Sequence, residues 1–299
     1  MPSLITFALL LRLLRPHQWL KNGFVLIGIL FGHAWSDPAK LTQAAAAFGA
    51  FCLLASAIYV FNDLIDREQD RLHPQKKHRP LASGQIDVAT AIALGVLCLI
   101  GGSLLALCYA GSAPWIFFAY VALNLAYSLG LKHVVILDVF IIATGFMLRL
   151  LAGTLGIGIA PSHWLLLCGL MLTLLLGFAK RRAELEAMLA AGGAHRRVLD
   201  HYSIPLLDQF IGIAAAATVI SYALYTVSLE TVALHGTRGL IVTVPPVVYG
   251  LLRFLWRLHT RSGGGDAAQE LLTDRHLQAT IAIWLALVIG LFSGAIIVP

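Results

Sequence analysis

Charge is what this chain has least of. Asp, Glu, Lys and Arg together make up 12% of its 299 residues, while 59% are apolar. Soluble domains run near 25% charged, so a soluble enzyme is excluded. A disordered chain is excluded too, because it holds few apolar groups. Cysteine is also scarce. Cys52, Cys98, Cys108 and Cys168 all fall inside apolar stretches, at spacings that suit neither a zinc site nor a redox pair, and they read as packing residues. No Ser-His-Asp or Cys-His constellation stands out. Met1–Leu11 lacks a basic region and a small-residue cleavage site, so no cleavable signal peptide is expected. The apolar runs are continuous rather than alternating, which excludes a β-barrel.

What the chain does have is long apolar runs. A spanning helix takes about 20 apolar residues. Nine spans are expected, at 22–36, 41–62, 88–109, 113–131, 134–156, 162–179, 205–229, 239–258 and 278–298. Gly, Pro and Ser turns such as Ser36-Asp37-Pro38, Gly111-Ser112-Ala113-Pro114 and Gly158-Ile159-Ala160-Pro161 separate some of them; the other breaks are longer and charged. Leu4 to Leu20, interrupted by Arg12, Arg15 and Pro16, reads as an interfacial helix leading into the first span. The expected fold is therefore all-α: a polytopic membrane protein with nine transmembrane helices, forming one domain over residues 1–299.

The net charge is +6, and its distribution sets an orientation. With the N-terminus in the cytoplasm, every Lys and Arg except Lys40, Arg238 and Arg149 falls on the cytoplasmic side. The basic balance thus marks loops at an anionic membrane surface, not a nucleic-acid partner. Spans two, four, six and eight each end on that side in a polar cluster: Asn62–Asp70, Tyr127–Lys132, Lys180–Glu184 and Arg253–Arg261. A transporter places its polar groups near the midplane and serves both faces. One-sided clusters are expected of a multi-pass enzyme of the cell (inner) membrane that takes its substrate from the cytoplasm.

The densest cluster is Asn62-Asp63-Leu64-Ile65-Asp66-Arg67-Glu68-Gln69-Asp70, which holds four of the chain's 15 carboxylates. Asp63, Asp66 and Asp70 are spaced i, i+3, i+7 and share a helical face with Asn62. Carboxylates gathered this way repel one another unless cations offset them. Hard oxygen donors suit Mg2+, which takes one or two carboxylates together with waters and substrate phosphates. A basic loop follows directly, His73-Pro74-Gln75-Lys76-Lys77-His78-Arg79-Pro80, whose Lys and Arg suit phosphate oxygens. The histidines His73 and His78 bind substrate there or brace the loop. Acid followed by base within twenty residues reads as metal and diphosphate recognition.

At these residues the sequence resembles the UbiA superfamily of intramembrane prenyltransferases, whose first Asp-rich motif, N-D-x-x-D-x-x-x-D, is matched by Asn62, Asp63, Asp66 and Asp70. Tyr127-Ser128 followed by Lys132 resembles the family's Y-S-x-x-x-K segment. The resemblance implies nine transmembrane helices around a cavity open to the cytoplasm. A narrower match, to the decaprenyl-phosphate phosphoribosyltransferase branch, lies in H-P-x-K-x-x-R-P-x-A-x-G (His73 to Gly84), Arg15 to Asn22, Gly145 to Arg149 with Ala152-Gly153, Lys180 to Leu185, and Asp274-Arg275. Members that transfer prenyl groups carry a second motif, commonly D-x-x-x-D; here Asp138 is followed four residues on by Ile142.

The resemblance implies transfer of 5-phosphoribose from phosphoribosyl diphosphate (PRPP) to a polyprenyl phosphate, feeding D-arabinose donors for surface glycans or other arabinosylated conjugates, nodulation signals among them. Asp63, Asp66 and Asp70, with Asn62, would hold Mg2+ on the diphosphate and act as the catalytic set. Lys21, Lys76, Lys77 and Arg79 are candidates for the diphosphate or the 5-phosphate. Lys132, Lys180 and Arg181 are candidates for the lipid phosphate or the far end of PRPP. Asp138 and Tyr127 are further substrate candidates. Arg149, a basic residue inside a span, needs a partner; Asp138, eleven residues earlier, lies on the same helix face, and a substrate-phosphate role and a structural contact both stay open for Arg149. The competing readings are a UbiA-type enzyme joining a prenyl diphosphate to an aromatic acceptor, and, from another class, a transporter or catalytically silent membrane protein. Assembly into a homo-oligomer is left open.

Overall fold

Asp37 and Pro38 begin the helix around which the first part of the chain is arranged. In the computed structural model, Asp37 caps that helix by accepting from the backbone N–H groups of Ala39 (2.9 Å) and Lys40 (3.2 Å), and Pro38 occupies its first turn. The structure describes residues 2–72, 76–191, 197–260, 270 and 273–297. Among them there is no strand, and the helices are α1 (Pro2–Leu14), α2 (Ile27–Phe31), α3 (Pro38–Ile65), α4 (Arg67–Leu72), α5 (Val88–Cys108), α6 (Trp115–Leu129), α7 (Leu137–Ala152), α8 (His163–Ala191), α9 (Ile204–Val227), α10 (Leu229–His235), α11 (Val244–Thr260) and α12 (Arg275–Phe292).

Seven helical segments among the described residues are long and apolar enough to cross a membrane. They correspond to expected spans two, three and five to nine. Two expected spans take another form. The stretch at 113–131 is the apolar but short α6, of 15 residues. The stretch at 22–36 falls in a 3-10 run, Pro16–Leu26, followed by the five-residue α2. Gly23, Gly28 and Gly32 weaken α-helix there, and the backbone is drawn in close: a Cβ on Gly28 would lie 1.6 Å from the carbonyl oxygen of Gly153, and one on Gly153 would lie 1.7 Å from that of Val25. Only glycines let these segments meet.

The chain divides into two compact units, residues 1–129 with 148–160, and residues 130–147 with 161–299. In the first, α3 is central and packs on α5, α1, α6 and the 3-10 run. Its buried stripe, Ala47, Ala50, Phe51, Leu54 and Ile58, has helical period and meets Ile116, Phe117 and Tyr120 of α6. Gly102 of α5 fits against Leu54, the small-residue contact that brings membrane helices together. The other side of α5 exposes Ile92, Val96, Leu97, Ile100, Leu104 and Leu107. Water would not tolerate such a face; hydrocarbon does. At about 1.5 Å per residue, the 28 residues of α3 exceed the roughly 30 Å hydrocarbon core, so Asn62 and Asp63 stand at a polar end of the helix.

In the second unit, α8 packs on α9 and α11 packs on α12. The core joins Val139 and Ala143 of α7 to Leu174, Leu175 and Phe178 of α8, Leu207 and Ile211 of α9, and Phe254 and Leu258 of α11. The 29 residues of α8 also outrun the hydrocarbon, and its surplus carries Lys180, Arg181, Arg182, Glu184 and Glu186.

Candidate functional site

The acidic motif spans the joint between α3 and α4. Helical hydrogen bonding continues through it, Asp66 N–H donating to Asn62 O (2.9 Å) and Asp70 N–H to Asp66 O (2.8 Å). Asp66 itself leaves α geometry, at φ −86° and ψ 3°. Asp63 and Asp70 turn inward and their side chains are each only 3% exposed. Arg79 meets both: its Nη1 donates to Asp63 Oδ1 at 2.9 Å and to Asp70 Oδ2 at 2.6 Å. Arg15 Nη2 donates to Asp63 Oδ1 at 2.5 Å, and Lys76 Nζ lies 3.9 Å from Asp70 Oδ1. Asn62 and Asp66 are half-buried on the same joint.

Two buried carboxylates thus already enclose a cationic group. Their oxygens are hard donors, the class of ligand that Mg2+ takes. Among the described residues no three His, Cys, Asp or Glu side chains are grouped closely enough to form a metal centre by themselves.

Arg15 opens one of the segments that carry the narrower resemblance, but has no assigned role of its own. The residue before proline is disfavoured in helix, so α1 ends at Leu14, and Arg15 takes the left-handed region, φ 55°. From there its guanidinium lies over the ring of Tyr59, 5.1 Å from the centroid, and reaches Asp63 one turn further along α3.

The remaining basic candidates of this unit are dispersed. Lys21 is half-buried and donates to Gln18 Oε1 at 2.5 Å. Lys76 and Lys77 are exposed on a short 3-10 turn, Lys76–His78. His73 lies outside the described residues. Tyr127 is half-buried near the end of α6. Arg149 is buried, at 6% exposure, and held by neighbours unforeseen from the sequence. Its Nε donates to Asn22 Oδ1 at 2.7 Å and its Nη2 to Tyr120 Oη at 2.9 Å, and its guanidinium stacks over Tyr120 and Phe51. Asn22, fully buried, also donates to Cys52 Sγ.

The second unit holds a different centre. Asp138, in the first turn of α7, and Arg181, on α8, both have side chains with 0% exposure, and Arg181 Nε lies 2.9 Å from Asp138 Oδ2. Arg181 also meets Glu184. Tyr202 Oη donates to Asp138 Oδ1 at 3.1 Å and accepts from the Ile136 N–H at 2.6 Å. Burial, with the Asp138 charge alongside, pushes the Tyr202 phenol up to about 12. Asp138 and Arg181, both expected to touch substrate, form a buried ion pair. Lys180, next along α8, is half-exposed with Nζ 4.0 Å from Glu184 Oε1. Lys132 is half-buried on the 3-10 turn Leu131–His133.

Two more ion-pair groups surround this unit's core. Arg182 donates to Asp208 (2.6 Å) and Glu186 (3.0 Å). Asp274 accepts from Arg253 and Arg257, each at 2.8 Å, and from the Leu277 N–H, so it caps α12 while tying it to α11. Of the basic cluster Arg253–Arg261, Arg253 and Arg257 thus pair with acids later in the chain, and Arg261 lies outside the described residues.

Comparisons with known proteins fit this architecture. The profile of the UbiA prenyltransferase family matches residues 23–273. The chain is 34% identical over 281 residues to the decaprenyl-phosphate phosphoribosyltransferase of Corynebacterium glutamicum, covering 92% of this chain and 84% of the relative. It is 32% identical over 290 residues to the protein of the same name from Mycolicibacterium smegmatis, covering 92% and 90%. Its fold matches a UbiA homolog from Archaeoglobus fulgidus, solved bound to GPP and Mg2+, with a TM-score of 0.71 at 20% identity, over 95% of this chain and 99% of that one. All-helical, multi-pass and matched along nearly its whole length, this chain belongs to the UbiA prenyltransferase family and is a membrane-embedded transferase.

Proposed function

We propose that this protein transfers the 5-phosphoribosyl group of PRPP to the phosphate of a polyprenyl phosphate. The reading is carried by the likeness, over 92% of the chain, to relatives named for decaprenyl-phosphate phosphoribosyl transfer. The residues supply a matching chemistry. The C1–O bond to diphosphate breaks, the diphosphate leaves with the electron pair, and a lipid phosphate oxygen forms the new bond to C1. That oxygen is already anionic, so no strong general base is required, in keeping with the lack of any hydrolase-like triad in the sequence.

Asn62, Asp63, Asp66 and Asp70 would hold Mg2+, which when bound neutralises charge on the diphosphate leaving group. Arg79 and Lys76 add positive charge beside those carboxylates, and Lys77, on the same turn as Lys76, is assigned to substrate phosphate. Positive charge builds on the ribose as the bond to the leaving group breaks, comparable in kind to glycosyl transfer, and one in-line displacement inverts C1. Lys132 and Lys180 are assigned to substrate phosphates. Asp138 and Arg181, both fully buried, are assigned to holding the second unit's helices in place, and Arg149 to holding the segment around Asn22. The product is a donor precursor for D-arabinose in surface glycans or related conjugates. The one-sided basic residues support a cytoplasmic N-terminus and a cytoplasmic active face in the cell membrane.

The test uses purified full-length protein in detergent with Mg2+, polyprenyl phosphate and PRPP labelled in the ribose. Label is expected to move into the organic phase, and to stop moving with EDTA or with Asp66→Asn. Folded protein that moves no label with several lipid lengths would overturn the proposal, and a labelled prenyl diphosphate with aromatic acceptors would be the next donor tried.

A further inference from the structure

Ile136 carries the one strained backbone conformation in the described residues of the second unit. It is β-branched yet has φ 67°, in the left-handed region that such residues avoid. The reversal is a tight three-residue turn, Leu137 N–H donating to Val135 O at 2.7 Å. It stands between Lys132, assigned to a substrate phosphate, and the buried Asp138. Strain of this kind persists only where surrounding structure holds it, and it gathers at functional sites.

The holder is visible. Tyr202 Oη accepts from Ile136 N–H at 2.6 Å and donates to Asp138 Oδ1 at 3.1 Å. The buried Arg181 anchors Asp138 from its other oxygen. Tyr202 is itself fixed: it directly follows the 3-10 run Arg197–His201, its N–H donates to Leu199 O, and its ring lies in the core cluster with Val198 and Leu199. Backbone hydrogen bonds carry the constraint back to Lys132. Asp138 N–H donates to Val134 O, and Val134 N–H donates to Leu131 O, closing the turn on which Lys132 sits. That turn packs against the 3-10 run leading into Tyr202.

We infer that Tyr202 is a positioning residue of this transferase: its hydroxyl clamps the turn at Ile136 and so sets where Lys132 meets a substrate phosphate. This rests on the proposed phosphoribosyl transfer for the identity of the substrate, though not for the clamp. The residue touches no reacting atom; it acts through the turn.

The test substitutes Tyr202→Phe in the full-length protein, which removes the hydroxyl and keeps the ring in the core. Two measurements are made. Amide hydrogen exchange over residues 134–138 is expected to quicken about tenfold in the variant, the effect of losing one net hydrogen bond in a charged network. Steady-state transfer is expected to show a rise of about tenfold in the KM of the substrate that Lys132 holds, PRPP or polyprenyl phosphate, with kcat changed far less. In a Lys132→Ala background, Tyr202→Phe should add little, because both act on one contact. Ile136→Gly, which relaxes the left-handed turn, should recover much of the lost KM in the Tyr202→Phe protein.

Unchanged exchange in Tyr202→Phe overturns the clamp. Faster exchange with independent, multiplicative losses for Tyr202→Phe and Lys132→Ala overturns the link to Lys132. A wild-type protein that transfers no phosphoribose sinks the proposed reaction and with it the role of Tyr202 in catalysis, while the exchange result still decides whether the clamp exists.

Discussion

Asp63 and Asp70 take hydrogen bonds from one and the same nitrogen, Nη1 of Arg79. The two carboxylates stand on either side of the joint between α3 and α4, and the arginine comes from the basic loop that follows them. The acidic motif and the basic loop, adjacent in the sequence, are one electrostatic object in space.

This pairing predicts how the protein responds to metal. Arg79→Ala removes the guanidinium that both buried carboxylates share, leaving Asp63 with Arg15 and Asp70 with the more distant Lys76. In metal-free buffer it should lose about 1–3 kcal/mol of stability, the cost of weakening a buried charged network, moderated by the partial exposure of Arg79. Added Mg2+ should restore more of that loss than it adds to the wild type. Thermal unfolding in detergent, with Mg2+ or with EDTA, checks both. Equal stability of the two proteins in EDTA would show that Arg79 is not the balancing cation.

The Asp138–Arg181 pair predicts a large stability effect. Breaking a buried ion pair by removing one partner costs about 3–5 kcal/mol, because the other charge is stranded. Arg181→Met should therefore lower the unfolding temperature severely. Adding Asp138→Asn to it should return part of the loss, since the stranded charge is then gone. Additive losses in the double variant would mean that the two residues do not act as a pair.

Asp274 predicts a pH dependence. Hydrogen bonds from Arg253, followed by the Leu277 N–H and the two guanidinium charges, hold its carboxyl far below the usual carboxylate range. A depressed folded value contributes stability that is fully present above the unfolded value, about 3.9, and is lost as pH falls from there through the folded value. At pH 7 the wild type should exceed Asp274→Asn in unfolding temperature. Below about pH 4 the gap should shrink. A gap that stays constant from pH 7 into the acid range would exclude the carboxylate charge as its source.

Much of the fold was legible in the residues. Continuous apolar runs located the long membrane helices, because hydropathy over twenty residues is a local property; the polar extension of α8 beyond residue 179 is one end they did not mark. The stretch around Gly23, Gly28 and Gly32 was apolar enough to read as a span and folds otherwise, because its backbone at Val25 and Gly28 is drawn against Gly153, a close approach that composition does not reveal. The spacing of the motif Asn62 to Asp70 anticipated that Asp63 and Asp70 lie near one another, where Arg79 bridges them, and the same motif carried the resemblance to the family.

Partner choice was not legible. Arg149 invited pairing with Asp138 on its own helix, yet it donates to Asn22, 127 positions away in sequence, while Asp138 is held by Arg181 and Tyr202. Arg15 had no assigned role and lies on Asp63. Tyr202, a lone tyrosine before Ser203 and Pro205, gave no signal at all. Apolar length, charge sidedness and the spacing of the acidic motif are written along the chain, so the sequence by itself determined a multi-pass helical membrane protein of this family. Which charge neutralises which was decided only by tertiary structure, since a buried charge must be matched by whatever the packing of distant helices brings within hydrogen-bonding distance.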